Sequence, residues 1–259
     1  MHERVHLTSY AYTSRAPTPR LPPTGNALLL TTSLTKSARH ATVFSDELTP
    51  RRVSDASLSL EKGDMMLAEV KTRLLTPEEY LAMERQEVNK HEYFQGEIAL
   101  MPGASREHNL IVASILARLY MQLLKQPCEV YPSDMRVKVS ASGLYTYPAL
   151  TVVWGEPTFE DAKVDTLLNP TVIIEVLSAF TEGYDRGKKF AHYRRLDSLQ
   201  DYLLVAQDQM HVEHYARQPD GAWRFLEAEQ AEAMIKLTSI DCTLQLEEIY
   251  EKIKFTAQS

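Results

Sequence analysis

Apolar and polar positions follow two different periods along this chain, and together they predict a mixture of helices and strands. The segment Ile111–Leu123 repeats an apolar residue every four positions, which predicts a helix buried along one face. By contrast, Thr171–Leu177 and Asp201–Ala206 are apolar at almost every position, which is typical of strands covered on both faces. The polar stretch Tyr184–Arg195 between them predicts a helix, so the three elements form a right-handed parallel crossover.

The remaining elements are predicted from capping and turn signals. Thr76-Pro77-Glu78-Glu79 has the form of a capping box and predicts a helix to about Asn89, and Ser105 is the predicted N-cap of the apolar helix. Short strands around a turn, two long strands joined by a hairpin, a terminal hairpin and a last helix are predicted at Tyr93–Leu100, Glu129–Val139, Tyr145–Trp154, Val212–Arg217, Trp223–Leu226 and Leu246–Phe255. This order predicts an α/β fold with a mixed central β-sheet flanked by helices.

Composition and charge narrow the class of protein. The chain has 259 residues and a formal charge of −7, which excludes a histone-like polycation but not a nucleic-acid enzyme, because such a site needs only local positive charge. Two cysteines, Cys128 and Cys242, are too few for a disulfide framework or a zinc cage, so we expect a cytoplasmic protein. We expect neither a membrane span, which needs about 20 apolar residues, nor a secretory signal.

The first 64 residues differ in composition from the rest of the chain. They are rich in Pro, Ser and Thr and carry few acids, so they offer little apolar surface to offset the entropy of ordering a chain. We expect residues 1–64 to be a disordered extension or a wrongly assigned start, with Met65 or Met66 as the true one. A targeting peptide is a third interpretation. The folded domain is predicted over residues 65–259.

Glu175 lies within the buried run Thr171–Leu177, where a carboxylate is costly unless it is paired or binds a cation. One interpretation is a structural ion pair with Arg186, Lys188 or Lys189 of the next helix. The other is the site of a metal-dependent hydrolase, in which carboxylates hold Mg²⁺ and a lysine orients water and stabilises phosphate charge. The residues alone leave both interpretations open.

Several short motifs occur in a fixed order between residues 75 and 250. They are Leu75–Leu81, Phe94–Ile98, Ser105-x-x-His108, Tyr147-Pro148, Ile174–Ser178, Asp185–Tyr193 and Tyr202–Val205. Each is weak alone, but the series resembles a family of bacterial restriction-endonuclease domains within the PD-(D/E)XK nuclease-like superfamily. The resemblance implies a restriction-endonuclease-like core, an endonuclease that hydrolyses phosphodiester bonds, Mg²⁺ or Mn²⁺ as cofactor, and nucleic acid, chiefly DNA, as partner.

The resemblance also implies roles for particular residues. Glu175 corresponds to a catalytic carboxylate that binds the metal, and Lys189 to the catalytic lysine, which lies on the following helix because position 177 is leucine. Glu97 resembles the early acidic residue at the metal site. His108 resembles a histidine near the start of the second helix that belongs to the catalytic site. Asp185 and Tyr193 correspond to positions around the lysine.

One departure from the family pattern concerns the metal site directly. The first motif carboxylate is expected after Tyr147-Pro148, but Ala149 occupies that position, and a methyl group cannot bind a metal. We therefore expect weak or absent cleavage, and the alternative function is a nuclease-fold protein that binds nucleic acid or regulates without turnover. Asp134 could supply the missing oxygen if its strand pairs with Tyr145–Trp154 in a register that sets it beside Ala149.

The sequence does not decide the role of two predicted surfaces. Arg186, Lys188, Arg194 and Arg195 form a basic cluster around one helix, either to contact a phosphate backbone or simply as a solvated face. The edge of the terminal hairpin could pair with a second copy to form a homodimer, and the sequence does not decide this.

Overall fold

The computed structural model describes residues 73–179 and 181–255, so the expectations for residues 1–64 lie outside the described part of the chain. The helical segments are α1 (Pro77–Glu84), α2 (Arg106–Leu123), α3 (Glu182–Tyr184), a π-helical turn (Asp185–Lys189), α4 (Phe190–Tyr193) and α5 (Leu246–Ile249). The strands are β1 (His91–Phe94), β2 (Glu97–Leu100), β3 (Cys128–Pro132), β4 (Arg136–Val139), β5 (Leu144–Thr146), β6 (Leu150–Trp154), β7 (Thr166–Leu167), β8 (Val172–Leu177), β9 (Asp201–Ala206), β10 (Val212–Arg217), β11 (Trp223–Ala228), β12 (Met234–Leu237) and β13 (Cys242–Gln245).

The strands form two main sheets and a small hairpin. A mixed six-stranded sheet has the order β11-β10-β9-β8-β6-β3, a five-stranded sheet has the order β2-β1-β5-β4-β7, and β12 pairs with β13. Strand β8 runs parallel to β9, as the predicted crossover requires, and antiparallel to β6. The predicted mixed α/β architecture is confirmed, but its strands are divided between two sheets rather than gathered in one.

The two helix starts that were predicted from capping residues, at Thr76 and Ser105, are correct. The Thr76 hydroxyl accepts a hydrogen bond from the Glu79 N–H at 3.2 Å, and the Glu79 carboxylate accepts one from the Thr76 N–H at 2.9 Å. The Ser105 hydroxyl accepts a hydrogen bond from the N–H of His108 at 2.9 Å and begins α2. The predicted extent of the first helix is wrong, because α1 ends at Glu84 rather than near Asn89.

The two long strands predicted in the middle of the chain are each two strands in different sheets. Glu129–Val139 is divided into β3 and β4, and Tyr145–Trp154 into β5 and β6, with Pro148 at the second break. Asp134 lies in the turn between β3 and β4, where its side chain is 85% exposed and pairs with Lys90. It therefore does not stand beside Ala149, and the idea that it replaces the missing carboxylate is wrong.

The C-terminal prediction is also only partly correct. The predicted helix Leu246–Phe255 is confined to the single turn α5, and the hairpin β12–β13 that precedes it was not predicted. No helix of the described chain combines the length and the apolar character needed to cross a membrane.

Side chains along β8 point alternately to the two faces of the six-stranded sheet, and this alternation decides on which face Glu175 lies. Ile174 and Val176 point to the face covered by α2 and belong to the same buried cluster as Ile111 and Leu119. The residues of β8 between and beside these two point to the other face, where they pack with aromatic residues of the crossover segment and of β9. Glu175 shares this second face.

Candidate active site

Glu175 is buried and its two carboxylate oxygens accept separate interactions. Its side chain is only 8% exposed. Oε1 accepts a hydrogen bond from the Tyr193 hydroxyl at 2.9 Å and lies 3.0 Å from Lys189 Nζ. Oε2 accepts a hydrogen bond from the backbone N–H of Ala149 at 3.3 Å. These partners offset the cost of removing a carboxylate from water.

Lys189 joins three carboxylates at the junction of the two main sheets. Its Nζ lies 3.0 Å from Glu175 Oε1, 3.0 Å from Glu92 Oε1 and 3.4 Å from Asp185 Oδ1. Glu175 belongs to the six-stranded sheet, whereas Glu92 belongs to β1 of the five-stranded sheet. Glu175 and Lys189, which the sequence assigned to one site, are therefore in direct contact.

The crossover segment projects its functional side chains from a π-helical turn. Asp185 and Lys189 are four residues apart in this turn, and both point into the cluster. Tyr193 follows four residues later in α4 and reaches Glu175. The Tyr202 hydroxyl donates a hydrogen bond to the Asp185 carbonyl at 3.0 Å, which fixes the turn against β9. Such π-helical turns inside helices are frequent at functional sites.

The charges in the cluster do not balance. Three carboxylates face one ammonium, which is an excess of two negative charges when all four groups are ionised. Burial raises the pKa of Glu175 to about 7, against the opposing attraction of Lys189. Burial also disfavours the charge on Lys189, but Glu175, Glu92 and Asp185 outweigh it and hold the pKa of the ammonium well above its usual value.

Ala149 lies beside Glu175, in the bend that immediately precedes β6. The pairing of β6 with β8 begins at Leu150, which is opposite Ile174, and the Ala149 N–H donates to Glu175 Oε2 at 3.3 Å. The Ala149 methyl group is buried with the apolar side chains on the α2 face of the sheet and offers no ligand to the cluster.

The residues as arranged do not fit a bound divalent cation. Carboxylate oxygens are the right donors for Mg²⁺. However, both oxygens of Glu175 already accept hydrogen bonds, and the Lys189 ammonium lies between the acidic side chains. Among residues 73–179 and 181–255, no group of three His, Cys, Asp or Glu side chains is placed to hold a metal ion.

The two other residues assigned to the site lie in different places. Glu97 is on β2 opposite Phe94, and the register puts it on the same sheet face as Glu92, one strand farther out. His108 is near the N-terminus of α2, which packs on the opposite face of the six-stranded sheet from Glu175. Burial lowers the pKa of His108. The structure therefore gives Glu97 a place beside the cluster and separates the helix of His108 from it.

Glu92 is a member of the cluster that the sequence analysis did not identify. Its carboxylate pairs with Lys189 and also accepts a hydrogen bond from the Thr146 hydroxyl of the neighbouring strand β5. Strand β1 has only four residues, His-Glu-Tyr-Phe, so no periodic pattern distinguishes its two faces. The available signal was the strand pairing around Gly96, because it places Glu92 and Glu97 on the same face.

The four basic residues of the predicted nucleic-acid surface differ in availability. Arg186 is neutralised by Glu213 and Glu182, each 2.6 Å away. The remaining three residues, Lys188, Arg194 and Arg195, are exposed on the crossover segment. Within the part of the chain that the structure describes, none of these three forms an ion pair. They therefore present uncompensated positive charge next to the acidic cluster.

The fold and the carboxylate–lysine cluster together define a protein of the restriction-endonuclease-like class. Residues 77–247 match the family described as "Uma2: Putative restriction endonuclease", and the chain belongs to this family. The fold is similar to that in the "crystal structure of a putative nuclease belonging to DUF820" from Anabaena variabilis. That similarity has a TM-score of 0.58 and 17% sequence identity, and it covers 68% of this chain and 98% of the Anabaena chain.

Two relatives from Synechocystis sp. are more similar in sequence. The uncharacterized protein sll1609 is 38% identical over 162 residues, which are 62% of this chain and 92% of the relative. The uncharacterized protein slr1290 is 35% identical over 181 residues, which are 70% of this chain and 94% of that relative. Both alignments span nearly the whole relative, as expected for members of one domain family.

Proposed function

We propose that this protein is an endonuclease of the PD-(D/E)XK type that hydrolyses phosphodiester bonds of nucleic acid, chiefly DNA. In this copy we expect the metal-dependent cleavage to be weak, because Ala149 offers no ligand and a cation could bind Glu175 only in exchange for the hydrogen bonds that its two oxygens already accept. The observation that carries the proposal is the contact between Glu175 and Lys189 at 3.0 Å, because it joins the two motif residues in one buried cluster between the sheets. Exposed Lys188, Arg194 and Arg195 lie on the same segment, where they would attract a phosphate backbone.

The chemistry available to the cluster follows from its own groups. The Lys189 ammonium would stabilise the negative charge that develops on the phosphate in the transition state. Tyr193 and the Ala149 N–H hold the Glu175 carboxylate in one orientation. Asp185 and Glu92 contact the Lys189 ammonium from two further sides and fix its position. The same two carboxylates compete with a phosphate group for the ammonium. Slow turnover is the expected result.

A cleavage assay on supercoiled and linear DNA, and on RNA, tests this function. We expect slow nicking by the wild-type protein that requires Mg²⁺ or Mn²⁺ and falls roughly ten-fold or more in Glu175→Gln, since a positioned active-site group contributes about 10²–10⁴-fold in rate. Glu229→Gln, at an exposed site, is the matched control and should cleave at the wild-type rate. Wild-type nicking that persists undiminished in Glu175→Gln contradicts the proposal.

A specific observation favours a second candidate, a nuclease-fold protein that binds nucleic acid without cleaving it. Both Glu175 oxygens accept hydrogen bonds, and Lys189 is held by three carboxylates, so the cluster resembles a closed structural ion pair. This alternative is preferred if the wild-type protein binds DNA at all metal concentrations yet never nicks it.

Both candidates share the expectation that the exposed basic residues bind phosphate. Reversing the charge in Arg194→Glu with Arg195→Glu should weaken DNA binding roughly ten-fold or more, because lost phosphate contacts weaken binding to all sequences alike. The dependence of log K on log salt should become shallower by about one unit per lost contact, measured by fluorescence anisotropy. Lys236→Glu, on exposed β12, is the control. If DNA binding weakened equally in the double variant and in Lys236→Glu, the effect would come from the overall charge of the protein and not from Arg194 and Arg195.

A further inference from the structure

Helix α2 is apolar on two opposite faces, whereas a helix at the surface of a globular protein is ordinarily apolar on one. Its inner face completes the core through Ile111, Ile115, Leu119 and Leu123. Its outer face carries Ala113, Ala117, Tyr120, Met121 and Leu124, all exposed. The last three are 57%, 67% and 55% exposed. Contiguous exposed apolar surface of this kind marks contact with another molecule.

The polar side chains beside this outer face are already engaged within the molecule. Arg118 lies 3.1 Å from Glu248, and the Gln122 side chain donates to the Thr243 carbonyl at 2.9 Å. Within the described chain, the outward stripe from Ala113 to Leu124 therefore presents apolar groups to solvent. These intramolecular contacts pull the polar groups aside and leave the stripe open.

The outer face is divided into a recessed half and a protruding half. Small residues occupy the N-terminal half, where a groove of about 330 Å³ lies between α2 and the wall formed by Glu248 of α5 with Glu251 and Lys252 after it. The α2 side of the groove is lined by Leu110, Ala113, Ser114, Ala117, Arg118 and Met121. Met121 closes the groove at its C-terminal end, and Tyr120 and Leu124 are exposed beyond it. The recess and the projections lie on one helix about 27 Å long, since each helical residue adds about 1.5 Å.

We propose that this face docks on the same face of a second copy of the chain, with the two α2 helices antiparallel and the two-fold axis at Ala117. In that arrangement Met121 of each copy lies over Ala113 of the other, Tyr120 over Ser114, and Leu124 over Leu110. Small residues at the axis let the helix backbones approach closely, and the projections of each copy enter the groove of the other. An isologous interface requires this self-complementarity.

The charges at the two ends of α2 also fit an antiparallel pair. Glu107 lies in the first turn of α2, and Lys125 follows its last turn and is exposed. Antiparallel docking brings Lys125 of one copy toward Glu107 of the other. It also opposes the two helix dipoles, which is the favourable orientation. Apolar surface, groove and charge therefore all fit a second copy of this chain.

Sedimentation equilibrium of the full chain tests the proposal. We expect the wild-type protein to be a dimer at micromolar concentration, and Ala117→Glu to weaken dimerisation roughly 100-fold, because it sets two like charges against each other at the axis. Ala117 is exposed, so circular dichroism and the thermal midpoint should remain those of the wild type. Phe225→Glu, on the exposed edge strand β11, is the matched control and should remain dimeric.

Cysteine cross-linking tests the position of the axis. Ala117→Cys should form an intermolecular disulfide under mild oxidation, because the two copies of residue 117 face each other. Ala113→Cys should form far less, because it faces residue 121 of the second copy, and the wild type sets the background from Cys128 and Cys242. A monomeric wild type at 100 µM overturns the proposal, as does a dimer that survives Ala117→Glu or is broken by Phe225→Glu.

Discussion

Ala149→Asp should raise Mg²⁺-dependent DNA cleavage on the order of 100-fold above the wild-type rate, since the positioning of a metal contributes several kcal/mol to such reactions. The physical reason is the position of residue 149, whose backbone N–H donates to Glu175 Oε2 at 3.3 Å, so that an aspartate side chain there is within reach of the cluster. Aspartate there adds the carboxylate that the alanine lacks. Initial nicking rates of supercoiled DNA across a Mg²⁺ titration give the measurement.

Three comparisons separate this effect from a general change in stability. Ala149→Asn has nearly the same shape without the charge and should stay near the wild-type rate. Ala149→Asp combined with Glu175→Gln should lose the gain. Mg²⁺ should also raise the melting temperature of Ala149→Asp more than that of the wild type, because a ligand that binds the native state stabilises it. An Ala149→Asp protein that neither cleaves faster nor binds Mg²⁺ more tightly would show that Ala149 is not the cause of weak cleavage.

Lys189→Met should lower the free energy of unfolding by roughly 3–5 kcal/mol at neutral pH, the usual cost of breaking a buried ion pair by removing one partner. Methionine is as long as the aliphatic part of lysine but lacks the terminal ammonium, so it leaves Glu92, Glu175 and Asp185 without a counter-charge. Denaturant unfolding of the two proteins gives the difference. Lys188→Met is the matched control, because its side chain is exposed, and should stay within about 0.5 kcal/mol of the wild type.

The pH dependence of that loss gives a second readout. Burial already raises the pKa of Glu175 to about 7, and loss of the ammonium raises it further. Protonation of a buried carboxyl whose pKa is raised in the folded state favours folding, so the deficit of Lys189→Met should shrink as the pH falls from 8 to 5. A deficit that is constant over this range would mean that lost packing, rather than unpaired charge, destabilises the variant.

The sequence was most informative where one residue contradicted its surroundings. A single glutamate in the apolar run Thr171–Leu177, followed by a helix bearing basic residues, predicted a contact with that helix, and the family resemblance singled out Lys189 as the partner. The cap at Thr76 was equally predictable, because a capping box depends only on neighbouring residues. In both cases the physical cause is local, or is fixed by the connection between two parallel strands.

Features that depend on the pairing of distant segments were not predictable. Glu129–Val139 and Tyr145–Trp154 were each predicted as one continuous strand. Pro132 and Pro148 stand where the strands are interrupted, but nothing in the apolar pattern shows that the chain then passes to another sheet. That passage sets Asp134 in an exposed turn and brings Glu92 to Lys189. Hairpin β12–β13 was missed for a similar reason, because strands of four residues are too short to show a period.

The position of Lys189 between two sheets has a mechanical consequence. Its contacts to Glu175 and Asp185 stay within the six-stranded sheet and its crossover, but its contact to Glu92 reaches the other sheet. A rotation of one sheet against the other must therefore stretch the Glu92 contact while it leaves the Glu175 contact intact. The two sheets are also held together by a shared apolar cluster that includes Val139 and Ile173, so separating them at the ammonium would expose apolar surface as well as unpaired carboxylates.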